Sequence, residues 1–150
     1  ASLGLTEAQV RVVREGMHAV VNGQRGTARR SRIADEAALM AGKTGTSQVR
    51  NITPAERARG VTRNEDLPWA RRDHALFVAY APADQPKYAV AVIVEHGGGG
   101  SAVAAPVARD VMMHALYGPE PPLSAYPPDQ RPVRAPAEPA APPPESRVPT

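Results

Sequence analysis

The sequence contains no cysteine, so neither a disulfide framework nor a thiolate metal site can form. Lysine is limited to Lys43 and Lys87, and any chemistry that needs an ammonium group must use one of these two. Aromatic residues are scarce as well: one Trp, one Phe and four Tyr. With so few rings, and with arginines scattered along the chain, there is little from which to build a base-stacking groove, and nucleic acid is set aside as a partner. The longest apolar run, Tyr88 to Val94, is far too short to cross a bilayer. No secretory leader is visible and the chain opens on Ala1, which we read as a piece of a longer protein.

Proline is abundant, but at one end. Between Pro119 and Thr150, 12 of 32 residues are proline, and large apolar side chains almost vanish after Leu123 and Tyr126. Such a segment buries too little surface to offset its ordering entropy, so residues 119–150 read as a proline-rich disordered tail and residues 1–118 as the folded part. The folded part holds 13 of the 16 arginines and both lysines against 11 acidic residues, a net charge of +4. A basic surface of this kind suits anionic cell wall or lipid headgroups.

Leu5-Thr6-Glu7-Ala8-Gln9-Val10 reads as a helix start, with Thr6 as cap, Gln9 closing a capping box and Leu5 stapled onto Val10. The helix is expected from Glu7 to Asn22, burying Val10, Val13, Met17, Val20 and Val21, and stopping at Asn22-Gly23. His18 has no second ligand at metal spacing and is read as structural. Gln24 to Asp35 reads as an arginine-rich surface connection. His74 to Ala81 and Tyr88 to Glu95 alternate like strands, and the short proline-bounded turn between them predicts an antiparallel hairpin. Ala75 and Ala79 on one face and Leu76, Val78 and Tyr80 on the other predict a sheet covered by helices on both sides. A final helix is expected to be capped by Ser101 or, because Pro106 prefers the first turn, by Ala105. It would bury Val107, Val111, Met112, Ala115 and Leu116 and end at Gly118-Pro119. Gly97 to Gly100 reads as a hinge, since it lacks both the Walker lysine and the Rossmann spacing.

The chemistry is concentrated in Ala41-Gly42-Lys43-Thr44-Gly45-Thr46-Ser47-Gln48-Val49. Glycine weakens a strand unless a ligand or a second backbone must come very close, and Gly45 marks such a gap. Around it stand one ammonium, on Lys43, and three hydroxyls, on Thr44, Thr46 and Ser47, which suits a strand edge that receives an anionic, peptide-like ligand. The polar stretch from Arg50 to Arg72 follows, with a short helical turn at Pro54 to Arg59 capped by Thr53. Loops of this length are usually functional or mobile, and Trp69 is read as the anchor of its return.

Lys43-Thr44-Gly45 alone is a weak signal, because three residues recur by chance. The order of elements makes it specific: helix, Lys-Thr-Gly strand, long loop, hairpin, C-terminal helix. Together with Arg72-Asp73-His74-Ala75-Leu76-Phe77-Val78-Ala79-Tyr80-Ala81-Pro82 and Tyr88-Ala89-Val90-Ala91-Val92-Ile93-Val94-Glu95, it resembles the C-terminal part of the transpeptidase domain of class B penicillin-binding proteins. Within that class the resemblance is to the elongation-type enzymes, the penicillin-binding protein 2 group, over roughly Leu3 to Tyr117. It implies an α+β fold, an antiparallel sheet covered by helices of the penicillin-binding/serine β-lactamase kind, of which this chain holds a C-terminal fragment. It also implies a peptidoglycan D,D-transpeptidase that cross-links stem peptides by serine acyl transfer and binds β-lactams, with no cofactor and no metal. Such an enzyme stands on the periplasmic side of the bacterial inner membrane, anchored through an N-terminal part, and works with the cell-wall elongation machinery.

Carried onto this sequence, the resemblance gives Lys43, Thr44, Gly45 and Thr46 to substrate binding and the Thr46 backbone N–H to the oxyanion hole. The sequence then departs from the family pattern. None of Ser2, Ser31, Ser47, Ser101, Ser124 and Ser146 has lysine three positions on, and no Ser-x-Asn occurs. In the family both motifs precede the Lys-Thr-Gly strand, so nucleophile and base are expected outside this chain, and the fragment alone is expected to be inactive. A non-catalytic β-lactam sensor or binding module on the same fold is the alternative.

Overall fold

Helix α1 (Glu7–Asn22) begins where a capping box closes: the Gln9 N–H donates to Thr6 Oγ1 at 3.3 Å, and the Thr6 N–H donates to Gln9 Oε1 at 2.8 Å. The structure, a computed structural model, describes residues 4–133. Only the end of α1 sinks into the core. Val21 is fully buried and Met17 and Val20 partly so, whereas Val10 and Val13, expected on the buried face, are exposed. The reason is the level at which the sheet begins: Asn22 Nδ2 donates to the Met40 carbonyl at 2.9 Å, just ahead of the first strand, beside the last turn of α1.

The connection that follows is more than surface. Ala28, Ser31 and Ile33 are buried, because small and apolar residues interrupt the arginines and let the segment turn one side inward.

Strands β1 (Ala41–Ser47), β2 (His74–Ala81) and β3 (Tyr88–Val94) form one antiparallel sheet in the order β1-β2-β3. Thr44 lies level with Phe77 and Val92, and Gly45 with Leu76 and Ile93. Alternation gives one face to Ala75, Phe77 and Ala79, all buried, and helix α3 (Ala105–Tyr117) covers it. The small side of α3 makes that contact: Ala105, Ala108, Met112 and Met113 are buried, while Val107, Val111 and Ala115 are exposed instead of packed. Alanines on both sides allow a closer approach than valines would, and this rotates the helix. Neither Ser101 nor Ala105 caps it; a single π-turn, Gly100–Ala104, leads straight in, with the Ala105 N–H on the Gly100 carbonyl.

The opposite face is not covered from end to end. Val78 and Ile93 remain 47% and 67% exposed there. Helix α1 packs along β1, and near Tyr80 the Arg14 guanidinium stands 5.9 Å from the Tyr80 ring and donates to the carbonyls of Ala83 and Asp84 at 2.8 and 3.1 Å.

The packed body continues past Gly118, where the tail was expected to start. Ala125 and Pro127 are buried and Tyr126 is partly buried. The Ala34 N–H donates to the Ala125 carbonyl at 2.8 Å, and Gln130 joins Arg109 at 2.5 Å to the Arg30 carbonyl at 2.9 Å. Proline has a fixed φ, so ordering this stretch costs less entropy than its composition suggests, and a few apolar contacts suffice. The remainder of the expected tail, residues 134–150, lies outside the described residues.

Candidate functional site

β1 is an edge strand, paired on one side by β2 and unpaired on the other among the described residues. Lys43, Thr46 and Ser47 are exposed on it, and Thr44 and Gly45 are partly covered. Strand alternation places Lys43, Gly45 and Ser47 toward one face and Thr44 and Thr46 toward the other, so the ammonium and the two threonine hydroxyls flank the open edge from its two sides. Lys43 Nζ donates to the Thr44 carbonyl at 2.7 Å, which uses one of its three N–H donors. Thr44 Oγ1 lies 3.2 Å from Thr27 Oγ1, in the turn after α1. Thr27 carried no signal in the sequence, where its segment read as a connection.

Two glycines keep this strand in place. A side chain at Gly42 would stand 2.5 Å from Phe77 Cζ, so the ring that fills the core requires the gap. At Gly45 a side chain would meet Leu76 Cβ at 3.2 Å, while the backbone of Gly100 comes so close that a methyl group on Gly100 would stand 2.4 Å from the Gly45 carbonyl oxygen.

The long loop between β1 and β2 is pinned at both ends. Asp73 accepts from the Val49 N–H at 3.3 Å and from Asn64 Nδ2 at 3.2 Å, and the Asp73 N–H returns a bond to Asn64 Oδ1 at 2.9 Å. Helix α2 (Pro54–Arg59) sits inside it, with Thr53 capping the Glu56 N–H as its spacing predicts. Arg50 grips Glu56 through two parallel bonds of 2.6 and 2.7 Å, with side chains only 10% and 19% exposed. Those bonds, helped by the Thr62 N–H on Glu56 Oε1, hold the Glu56 carboxyl at about 2, well below its ordinary value.

Trp69 does not bury itself as an anchor. It is 61% exposed and meets the His96 ring edge-on, with centroids 4.3 Å apart. His96 has φ +54°, the left-handed region, and two bonds hold it there: its N–H donates to His74 Nδ1 at 2.8 Å, and its own Nδ1 lies 2.9 Å from the Arg72 carbonyl. These partners fix the protons, with Nδ1–H on His96 and a bare Nδ1 on His74. Neither residue was singled out in the sequence, although an antiparallel hairpin brings the start of one strand level with the end of the next.

Among the described residues, no serine is hydrogen-bonded to a lysine or histidine side chain. Ser31 is buried, Ser101 and Ser124 are exposed elsewhere, and Ser47 lies four residues from Lys43, about 13 Å along an extended strand. Among the described residues no group of three His, Cys, Asp or Glu comes together to hold a metal, and no helix is long and apolar enough to cross a membrane. His18 is exposed on α1.

An antiparallel sheet backed by a C-terminal helix, with the Lys43-Thr44-Gly45 strand at its open edge, defines a domain of mixed helix and antiparallel sheet. Residues 3–113 match the family described as the penicillin binding protein transpeptidase domain, and the chain belongs to that family. Proteins it is similar to include curated peptidoglycan D,D-transpeptidases and solved structures of PBP2. The chain is 42% identical over 113 residues to the peptidoglycan D,D-transpeptidase MrdA of Haemophilus influenzae, covering 75% of this chain and 17% of the relative. It is 36% identical over 107 residues to MrdA of Escherichia coli K12, covering 71% and 16%. Among solved structures it is similar to PBP2 of Pseudomonas aeruginosa in complex with WCK 5153, with a TM-score of 0.61 and 42% identity, over 81% of this chain and 23% of that one. It is also similar to PBP2 of Helicobacter pylori, seen in complex with MreC, with a TM-score of 0.56 and 33% identity, over 75% and 18%. The chain thus spans less than a fifth of the length of these curated relatives.

Proposed function

We propose that this chain is the substrate-binding C-terminal part of a peptidoglycan D,D-transpeptidase domain. A serine in a preceding part of the domain attacks the D-Ala-D-Ala bond of a stem peptide, D-alanine leaves, and an amine of a neighbouring strand takes the acyl group. β-Lactams enter the same site. The terminal carboxylate accepts hydrogen bonds and donates none, so it calls for a cation and hydroxyl donors together. Lys43, Thr44 and Thr46 are those donors, and Gly45 keeps the strand open between them. The Thr46 N–H is one oxyanion donor, working with the nucleophile's own N–H.

The observation that carries this is the open edge of β1, which the Lys43 ammonium on one face and the hydroxyls of Thr44 and Thr46 on the other flank from two sides, with no strand beyond it among the described residues. Support for the Thr46 assignment comes from the Thr44 carbonyl, which accepts from Lys43. In an antiparallel ladder, residues two apart turn their backbone groups toward the same edge. The setting proposed for the full protein is the periplasmic side of the inner membrane, held through its N-terminal part and joined to the elongation machinery, in line with the MreC complex of the Helicobacter pylori relative.

The test uses the full-length protein. Lys43→Ala should slow acylation by benzylpenicillin about ten- to a hundredfold, the cost of one charge-assisted hydrogen bond, with the thermal midpoint unchanged. An unchanged rate removes Lys43 from the site.

A further inference from the structure

Resting on that carboxylate site, we propose that Thr27 is a positioning residue: its hydroxyl donates to Thr44 Oγ1 and leaves the Thr44 proton free to point at the ligand. The two hydroxyl oxygens are 3.2 Å apart, and either one alone has a single proton to give. A carboxylate takes only donors, so Thr44 serves it when its proton faces outward and its oxygen accepts from behind. Thr27 stands behind. Lys43 does not fill that role: its ammonium donates to the Thr44 carbonyl, and it is Thr27 that lies within hydrogen-bond distance of the Thr44 hydroxyl. A hydroxyl that accepts one bond also donates a stronger one, since bonds in a chain polarise each other.

The turn that carries Thr27 is held on both sides. The Gly26 N–H donates to the Gly23 carbonyl and the Ala28 N–H to the Val20 carbonyl, each at 3.0 Å, and Ala28 is buried. A methyl group at Gly26 would stand 2.4 Å from the Val20 carbonyl oxygen, which shows how closely the turn sits on the end of α1. That end is tied to β1 through the Asn22 bond to Met40. Thr27 therefore meets Thr44 across 17 residues on a fixed frame, before any ligand arrives.

The experiment compares Thr27→Val, Thr27→Ser, Thr44→Val and the double valine variant in the full-length protein, reading the affinity and rate constants of benzylpenicillin acylation and the thermal midpoint. Thr27 is exposed, so its valine variant keeps the fold. Thr27→Val should weaken the step before acylation by about three- to tenfold, and Thr27→Ser should restore it. In the Thr44→Val background, Thr27→Val should cost nothing further, because its route of action is gone. If Thr44→Val slows acylation and Thr27→Val does not, or if Thr27→Val costs the same in both backgrounds, the positioning role falls while the carboxylate site stands. If Thr44→Val and Lys43→Ala are both without effect, the carboxylate site fails and takes Thr27 with it.

Discussion

Gly100 rests directly on the backbone of Gly45: a methyl group on Gly100 would stand 2.4 Å from the Gly45 carbonyl oxygen and 2.3 Å from that of Leu76. Through this contact the turn that leads into α3 supports the Lys-Thr-Gly strand at its middle. Both oxygens belong to paired strands, so neither can step aside as a flexible side chain would. Gly100→Ala is therefore expected to destabilise the chain by about 1–3 kcal/mol, the range for overpacking. Gly99→Ala is the control, since nothing lies within 4 Å of its added methyl and its φ of −87° suits any residue. Thermal unfolding should separate them, and equal midpoints would show that the turn yields.

Ending the chain at Gly118 should lower its thermal midpoint by several degrees, equivalent to roughly 1–3 kcal/mol. The cut removes the buried Ala125 and Pro127 and the bond between Ala34 and Ala125. A truncated chain as stable as the parent would show that Leu123 to Gln130 contributes nothing to the body.

The Arg50–Glu56 clasp makes the long loop sensitive to acid. Glu56 ionises more easily when folded, at about 2 against an ordinary 4.5. A depressed carboxyl value contributes stability that is present above the ordinary value and is lost as pH falls through that value toward the folded one. The amide resonance of Thr62, which donates to Glu56, should therefore stay put down to about pH 4 and shift as pH nears 2. A midpoint near 4.5 would mean that the clasp does not hold in solution.

Incubated alone with benzylpenicillin, this chain should gain no covalent adduct by intact-mass spectrometry. Proton transfer from Ser47 to Lys43 would need about 3 Å, and the strand separates them by about 13 Å. The Thr46 N–H would also lack its partner donor, a loss worth on the order of 100- to 1000-fold in rate. A stoichiometric adduct on any serine of the chain would overturn the assignment of the nucleophile to a preceding part.

The features legible in the sequence are those that near neighbours decide. Thr6 and Gln9 form the cap of α1 because they lie three residues apart, and Thr53 caps Glu56 for the same reason. Strand alternation gave the two faces of the hairpin, and Lys43-Thr44-Gly45 pointed to the family to which the chain belongs.

Tertiary structure decided everything that depends on what lies across a gap. Periodicity finds the apolar residues of α3, but the alanines of β2 select which side of the helix comes close, and Val107 and Val111 end outside. Composition marks residues after Gly118 as poor in apolar surface, yet a prepared groove needs little of it to hold Ala125 and Pro127. Thr27 with Thr44 and Gly45 with Gly100 are pairs that no local pattern announces. A sequence states conformational preference and amphipathic direction over a few residues, whereas burial and hydrogen-bond pairing are fixed only when distant segments arrive at the same place.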